Sequence, residues 1–358
     1  MPYWLFSKKK YKTERIFKHL FFIFYNICLI LSTEDDILKN MKIINKPSGK
    51  SVLFPCFEKA AKLLTDAGAS SVSYMPIDRC HILRPYLLPE YAAGTLIFTV
   101  PYLCEDALSY RERNLSLYAI PRDYHIFFKE LFDSAENILN AEFPNIEVRG
   151  FSDHSPIDEV HTAALAGLGV IGDNKLLITE EYGSYVFIGE LYLLEKLKVS
   201  DTAETSSDAN SGQNLSEPEK NIRYGSSKQE SGNNILSEES KNNISALPSC
   251  IHCGACTASC PSPSLCLSSL TQKKGKLTAE ECELIRKNDC IWGCDICQTV
   301  CPMNRKAKET EVRFFRKSLR YSLTLSELED MAEEEFSERA YAWRGRKTIA
   351  RNLMIKES

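Results

Sequence analysis

The chain has 358 residues, 44% of them hydrophobic, and a formal net charge of −4. That length accommodates two or three domains, and the apolar content is enough to build a core. The slight acidity excludes a chain-wide nucleic-acid-binding charge and leaves only local basic patches for such a task.

The first 40 residues differ in character from the rest of the chain. Lys8, Lys9, Lys10, Lys12 and Arg15 precede an apolar run from Leu20 to Leu31. A basic region before a short apolar core resembles a signal peptide, but no small-x-small cleavage site comes after it and there is no twin-arginine pair. The run is also shorter than the roughly 20 residues a spanning helix needs. Residues 1–40 therefore read as an N-terminal extension outside the fold, with Met41 as an alternative start and no stable membrane span. A membrane-surface anchor is the competing reading.

Residues 41–200 read as a domain of interleaved helices and strands, of α/β or α+β class. Apolar periodicity predicts a helix over Phe57–Ala67, stopped by Gly68. Strands are expected at Ser71–Met75, Thr95–Val100, Glu147–Phe151, Leu176–Thr179 and Tyr185–Leu194. A second helix runs over Asp123–Leu139 with Phe127, Phe128, Leu131, Phe132 and Leu139 inward, and a third over Val160–Ala166. Gly167-Leu168-Gly169-Val170-Ile171-Gly172 contains a G-x-G-x-x-G string, but it comes after a helix and not a strand. That context argues against a dinucleotide site, although the permissive backbone would let a bulky cofactor approach closely.

Residues 201–249 are rich in Ser, Asn, Glu and Lys and poor in large apolar groups. Such a composition cannot offset its ordering entropy, so the segment is expected to be a disordered insert.

Residues 250–305 carry the chemistry. Cys250, Cys253, Cys256 and Cys260 precede Pro261; Cys290, Cys294, Cys297 and Cys301 precede Pro302. The first run is the C-x2-C-x2-C-x3-C-P pattern of bacterial ferredoxins, in which the fourth cysteine ligates the other cluster. Two such runs predict two [4Fe–4S] clusters. By crossover, Cys250, Cys253, Cys256 and Cys301 hold one, and Cys260, Cys294 and Cys297 hold the other. Its fourth ligand is open between Cys266, Cys282 and Cys290, with Cys290 favoured by local spacing. Paired zinc sites are the bland alternative, and a disulfide framework fits a long chain of cytoplasmic character poorly. Of the 14 cysteines, Cys28, Cys56, Cys80 and Cys104 show no pairing pattern and read as small apolar residues.

Residues 306–358 read as a basic helical segment, with helices at Leu325–Met331 and Phe336–Met354. Arg339, Arg344, Arg346, Lys347 and Arg351 form a face that would meet phosphates or, more simply, solvent. In the first domain, Asp153 at a strand end before His154-Ser155-Pro156 is either a turn residue or, if held protonated, a general acid. Asp123 suits a helix cap, and His125 is a core histidine or a proton-transfer group.

These segments together resemble the epoxyqueuosine reductase family. Asp153-His154-Ser155-Pro156 through Glu159 and Ala166-Gly167-Leu168-Gly169-Val170-Ile171-Gly172-Asp173-Asn174 is similar to the family's D-T-G-P…E…A-G-L-G-W-I-G-K-N signature. Gly183-Ser184-Tyr185-Val186-Phe187-Ile188-Gly189-Glu190 resembles its G-S-W-F-F-L-G-E strand. Leu115–Ala119 with Asp123-Tyr124-His125 resembles its S-R-Y-A…D-Y-H stretch, and Trp292-Gly293-Cys294-Asp295-Ile296-Cys297-Gln298 completes the match. The resemblance implies an α+β architecture: a cobalamin-binding sandwich, a two-cluster ferredoxin-like domain and a short C-terminal helical segment. It implies a cytoplasmic, monomeric enzyme that reduces the epoxide of a modified tRNA base to an alkene, fed by a low-potential donor such as ferredoxin or flavodoxin. Asp153 is implied as proton donor, and Ser116, Asp123, His125 and Asn174 as lining of the corrin or substrate pocket. Cys266-Leu267-Ser268-Ser269-Leu270-Thr271 resembles the family's C-I-S-Y-L-T segment, which favours Cys266 as the eighth ligand. Asp173 stands where the family has Lys, His154-Ser155 replace T-G, and the long family members' C-terminal helical repeats are not matched. The other readings are a reductive dehalogenase-like enzyme and a non-catalytic ferredoxin-type carrier.

Overall fold

The computed structural model describes residues 53–104, 106–195 and 250–358. The extension read at 1–40, Cys28 and the insert read at 201–249 lie outside them. Helix α1 (Leu53–Asp66) begins the described chain, followed by strands β1 (Ser71–Pro76) and β2 (Gly94–Pro101). Next come α2 (Tyr124–Glu142), β3 (Ile146–Phe151), α3 (Glu159–Leu165), the short strands β4 (Val170–Ile171) and β5 (Leu177–Ile178), and β6 (Val186–Glu195). The four long strands form one sheet in the order β1-β2-β6-β3, every pairing antiparallel. With helices on both faces of an antiparallel sheet, the class is α+β.

Strand alternation divides the sheet's two faces. Leu96, Phe98, Val100 and Leu191 join Phe57 and Leu64 of α1 and Phe128 and Leu131 of α2 in the largest core cluster. Ile97 and Met75 point the other way, onto Ala163 of α3 and onto Leu168 and Leu177 beside the β4–β5 hairpin. Every residue of β2 is buried, because both of its faces are covered.

The helix ends obey their sequence signals. Asp123 caps α2 by accepting from the His125 backbone N–H at 3.0 Å, and Asp158 caps α3 by accepting from His161 at 3.0 Å. Gly68, at φ +107°, turns the chain out of α1 where a Cβ would meet Val312 at 2.5 Å.

In the cysteine segment, helical turns α4 (Ala255–Ala258), α5 (Leu267–Thr271) and α7 (Ile296–Thr299) flank α6 (Ala279–Lys287), which opens on a Thr278–Glu281 capping box. The C-terminal part holds α8 (Leu325–Asp330), α9 (Glu333–Ser337) and α10 (Arg346–Glu357). The single helix expected over Phe336–Met354 is therefore two helices. The break falls at Gly345, whose φ of +80° departs from helical geometry just before α10 starts.

Three of the five basic residues expected to form a face there are tied to carbonyls instead. Arg339 is buried and donates to the Ser318 carbonyl, Arg346 donates to the Leu328 and Met331 carbonyls, and Arg351 donates to those of Lys273 and Gly275. These guanidiniums are taken up by backbone carbonyls in loops and at the end of α8, which is why they are not arrayed for phosphates. Among the described residues no helix is long and apolar enough to cross a membrane.

Candidate active site

The cysteines converge as two groups. Cys250, Cys253, Cys256 and Cys301 line one small pocket, and the backs of Asp173 and Asn174 close it. The left-handed Gly254, at φ +71°, lets the loop double back before α4. In the second group the thiols crowd one another. Cys297 is pushed up to about 11 by burial and then by the charges of Cys294, Cys266 and Cys256. Cys294 is raised by burial, with Asp295, Cys266 and Cys260 adding to it. Cys290 is pushed up to about 12 by burial and then by Asp295, with Cys294 a smaller contributor. Cys266 thus sits among the second group and Cys290 at its margin. None of the described cysteines forms a disulfide. Two clusters of soft thiolate donors, each offering four ligands, suit iron–sulfur cubanes. Cys56 and Cys104 are buried as small apolar residues, as their lack of pattern suggests.

The segment is fixed to the sheet domain through Asp295, which is 3% exposed. Its carboxylate accepts from the Ser116 hydroxyl, the Leu117 backbone N–H and the Arg113 guanidinium. Trp292, fully buried, packs beside Leu115 and Ala119, and its carbonyl accepts from the Ser116 N–H at 2.9 Å. Ser116 is therefore a structural tie between the two segments.

Asp153 lies just beyond the end of β3 in a loop where both it and His154 have positive φ, 56° and 39°. Non-glycine residues rarely adopt that conformation, and pairs of them mark positions held by their surroundings. Tyr124 donates its hydroxyl to the Asp153 carboxylate, and His125 Nε2 lies 3.5 Å from the same oxygen. On the other side of the ring, His125 Nδ1 is 2.9 Å from Asp123 Oδ1. The order is thus Asp123, His125, Asp153, Tyr124, with Tyr124 stacked on Phe187 at 4.3 Å.

This arrangement relocates the proton. Partial burial pushes the Asp153 carboxyl up, but the hydrogen bonds from His125 and Tyr124 and the His125 charge outweigh it and hold it below the usual range. Burial pushes His125 down, yet hydrogen bonds to Asp123 and Asp153 win and raise it to about 9. These directions favour a proton on His125 beside an ionised Asp153. Asp123 serves as the expected cap and as the anchor of that imidazole.

Two further acids lie behind this group and were not singled out from the sequence. Glu190 on β6 is buried and pushed up to about 7 by its burial, against the opposing hydrogen bonds from Ser155 and Tyr192. Glu159 is pushed up to about 8 by burial, then by Asp153 and Glu190. Both fall in recognisable strings, but an acid on a strand or at the start of a helix gives no sign of its burial until its neighbours are known.

A groove of about 500 Å³ opens in front of Asp153, within the range of small-molecule sites. Leu87, Phe128, Phe132 and Val148 give it an apolar wall, and His125, Arg149, Asp153 and His154 a polar rim. An apolar wall with a polar rim suits one face of a flat macrocycle bearing polar edge groups. Of the four residues expected around a corrin, His125 alone reaches this groove; Asn174 belongs to the cysteine pocket. A Cβ on Gly169 would meet the Ile178 carbonyl at 2.5 Å and one on Gly172 would meet Asn174 at 2.6 Å, so these glycines serve the β4–β5 hairpin's own packing.

Residues 249–305 match the family model described as a 4Fe-4S dicluster domain. The chain is 28% identical over 250 residues to the epoxyqueuosine reductase of Listeria monocytogenes, covering 65% of this chain and 54% of that protein. It is 29% identical over 236 residues to that of Pseudomonas aeruginosa, covering 62% and 53%. It spans about half the length of the curated relatives it matches. A crystal structure of an epoxyqueuosine reductase with an epoxyqueuosine-modified tRNA-Tyr stem loop shares its fold, with a TM-score of 0.59 and 19% identity over 85% of this chain and 81% of that one.

Proposed function

We propose that this chain, which belongs to the epoxyqueuosine reductase family, reduces the epoxide of an epoxyqueuosine-type base in tRNA to an alkene. The balance is one epoxide, two electrons and two protons giving one alkene and one water. When bound, two [4Fe–4S] clusters supply single electrons at low potential, and cobalamin in the groove supplies the cobalt chemistry that opens a strained C–O bond. Cys250, Cys253, Cys256 and Cys301 hold one cluster; Cys260, Cys266, Cys294 and Cys297 hold the other. Asp153, Tyr124 and His125 stand where the leaving oxygen gains its proton. His125 stores the proton and passes it through the Asp153 carboxylate to the leaving oxygen as charge develops there, while Asp123 keeps the ring oriented. A low-potential ferredoxin or flavodoxin is the natural electron source, and the tRNA-bound neighbour supports a stem loop as the substrate's form.

The observation that carries this reading is the Asp153–His125–Tyr124 group at the rim of an open groove in a chain that also gathers eight cysteines. The test is direct. Anaerobically reconstituted protein with cobalamin, a low-potential reductant and epoxyqueuosine-containing tRNA yields queuosine on nucleoside analysis. Electron uptake without any queuosine would favour a plain carrier instead, and turnover without cobalamin would remove the corrin.

A further inference from the structure

The loop after the glycine string touches the cysteine segment at two points. Asp173 reaches His252, Oδ1 to Nδ1 at 2.8 Å, and so grips the left-handed residue (φ 51°) between Cys250 and Cys253. Asn174, next along, lines the pocket of Cys250, Cys253, Cys256 and Cys301. Its side-chain oxygen is committed, accepting from the Leu176 N–H at 3.3 Å. Its Nδ2 is shut away from solvent and has no hydrogen-bond partner. A buried amide donor left unpaired is costly, and such groups in folded proteins mark a partner yet to arrive. Trp292 and several arginines also carry buried unpaired nitrogens, but none of them lines a pocket of four thiols.

We infer that Asn174 donates its side-chain amide to a sulfur of the cluster held by Cys250, Cys253, Cys256 and Cys301, and thereby raises that cluster's reduction potential relative to the second. Adding an electron makes the cluster sulfurs more negative. An N–H pointed at one of them therefore stabilises the reduced form more than the oxidised form. Oδ1 fixes the amide's direction through the Leu176 turn, so the donor is set before any cluster binds. The inference rests on the cluster assignment proposed above and adds a division of potential between the two clusters.

The experiment is a redox titration, followed by electron paramagnetic resonance, of the full chain reconstituted with iron and sulfide. Asn174→Leu should lower the midpoint of one cluster, leave the other unmoved and keep wild-type iron content. Two loaded clusters with unchanged midpoints would overturn the inference and leave the proposed function standing. Wild-type protein that loads no cluster would overturn both. If Asn174→Leu fails to load, Asn174→Asp retains the Oδ1 acceptor and removes the donor. With ¹⁵N-labelled asparagine, the wild-type reduced cluster should then show a nitrogen hyperfine coupling that Asn174→Asp lacks. No difference in coupling between the two proteins would count against the hydrogen bond.

Discussion

The sheet and the cysteine segment reach order by different routes. The sheet is sealed by Phe57, Leu64, Phe98, Phe128 and Leu191, each at most 1% exposed, with helices on both faces. The cysteine segment has a buried cluster of Leu267, Leu270 and Ile285 and otherwise leans on the core shared with the C-terminal helices. A small apolar core around gathered thiols is the design of a module whose metal binding is part of its folding energy. The proposed proton-handling group is therefore built into a scaffold with a large apolar core, whereas the proposed cluster ligands sit in a segment with a small one. Asp295 is one of the points at which the two are joined.

That contrast can be broken at several points, beginning with the largest effect. Asp153→Asn is expected to lower turnover of the tRNA substrate by about 10²–10⁴-fold, while cluster absorbance stays at the wild-type level. Near-normal turnover in that variant would remove the carboxylate from the chemistry. At the junction, Asp295→Ala strips the acceptor from Arg113, Ser116 and Leu117. Leaving a buried partner uncompensated costs about 3–5 kcal/mol. Chemical denaturation of the reconstituted protein should show that loss, and a change below about 1 kcal/mol would mean the joint is not stabilising.

Glu190 sharpens the picture of the scaffold. Its folded value of about 7 lies above the ordinary glutamate value of 4.5, so the folded state keeps a proton that the unfolded state has released. Its contribution is complete below about 4.5 and is lost as pH rises through about 7. Glu190→Gln should therefore be the more stable protein at pH 8, by on the order of 3 kcal/mol, and lose its advantage in acid. Equal stability at both pH values would mean Glu190 is ionised throughout. The smallest effect concerns His125, which is raised to about 9. Its charge stabilises the fold below the ordinary histidine range, and that stability goes as pH passes about 9. Nitrogen NMR of the imidazole should find it protonated at neutral pH, with a lower midpoint in Asp153→Asn. An unmoved midpoint would uncouple the two residues.

Much of this was legible in the residues. Periodicity located every long strand and the helices over Phe57–Ala67 and Asp123–Leu139 within a few residues, because both bury a regular apolar face. Spacing brought Cys250, Cys253, Cys256 and Cys301 into one group, since short gaps and a Cys-Pro ending constrain where thiols go. What spacing left open was long-range. Cys266 and Cys290 differ in which thiols they approach, and that depends on α5 and α6 packing through Leu267, Leu270 and Ile285. The arginines at 339, 346 and 351 looked alike in sequence, and their capture by loop carbonyls depended on tertiary neighbours. The partners of Asp153 were hidden for the same reason: it looked like a lone acid until Tyr124 and His125 folded against it.

The central claim is that eight cysteines, Cys266 among them and Cys290 not, hold two cubanes beside a prepared proton site. Iron analysis of anaerobically reconstituted protein measures it. Wild type and Cys290→Ala should carry about eight irons per chain and Cys266→Ala about four. About four or fewer in wild type, or a loss confined to Cys290→Ala, would contradict it.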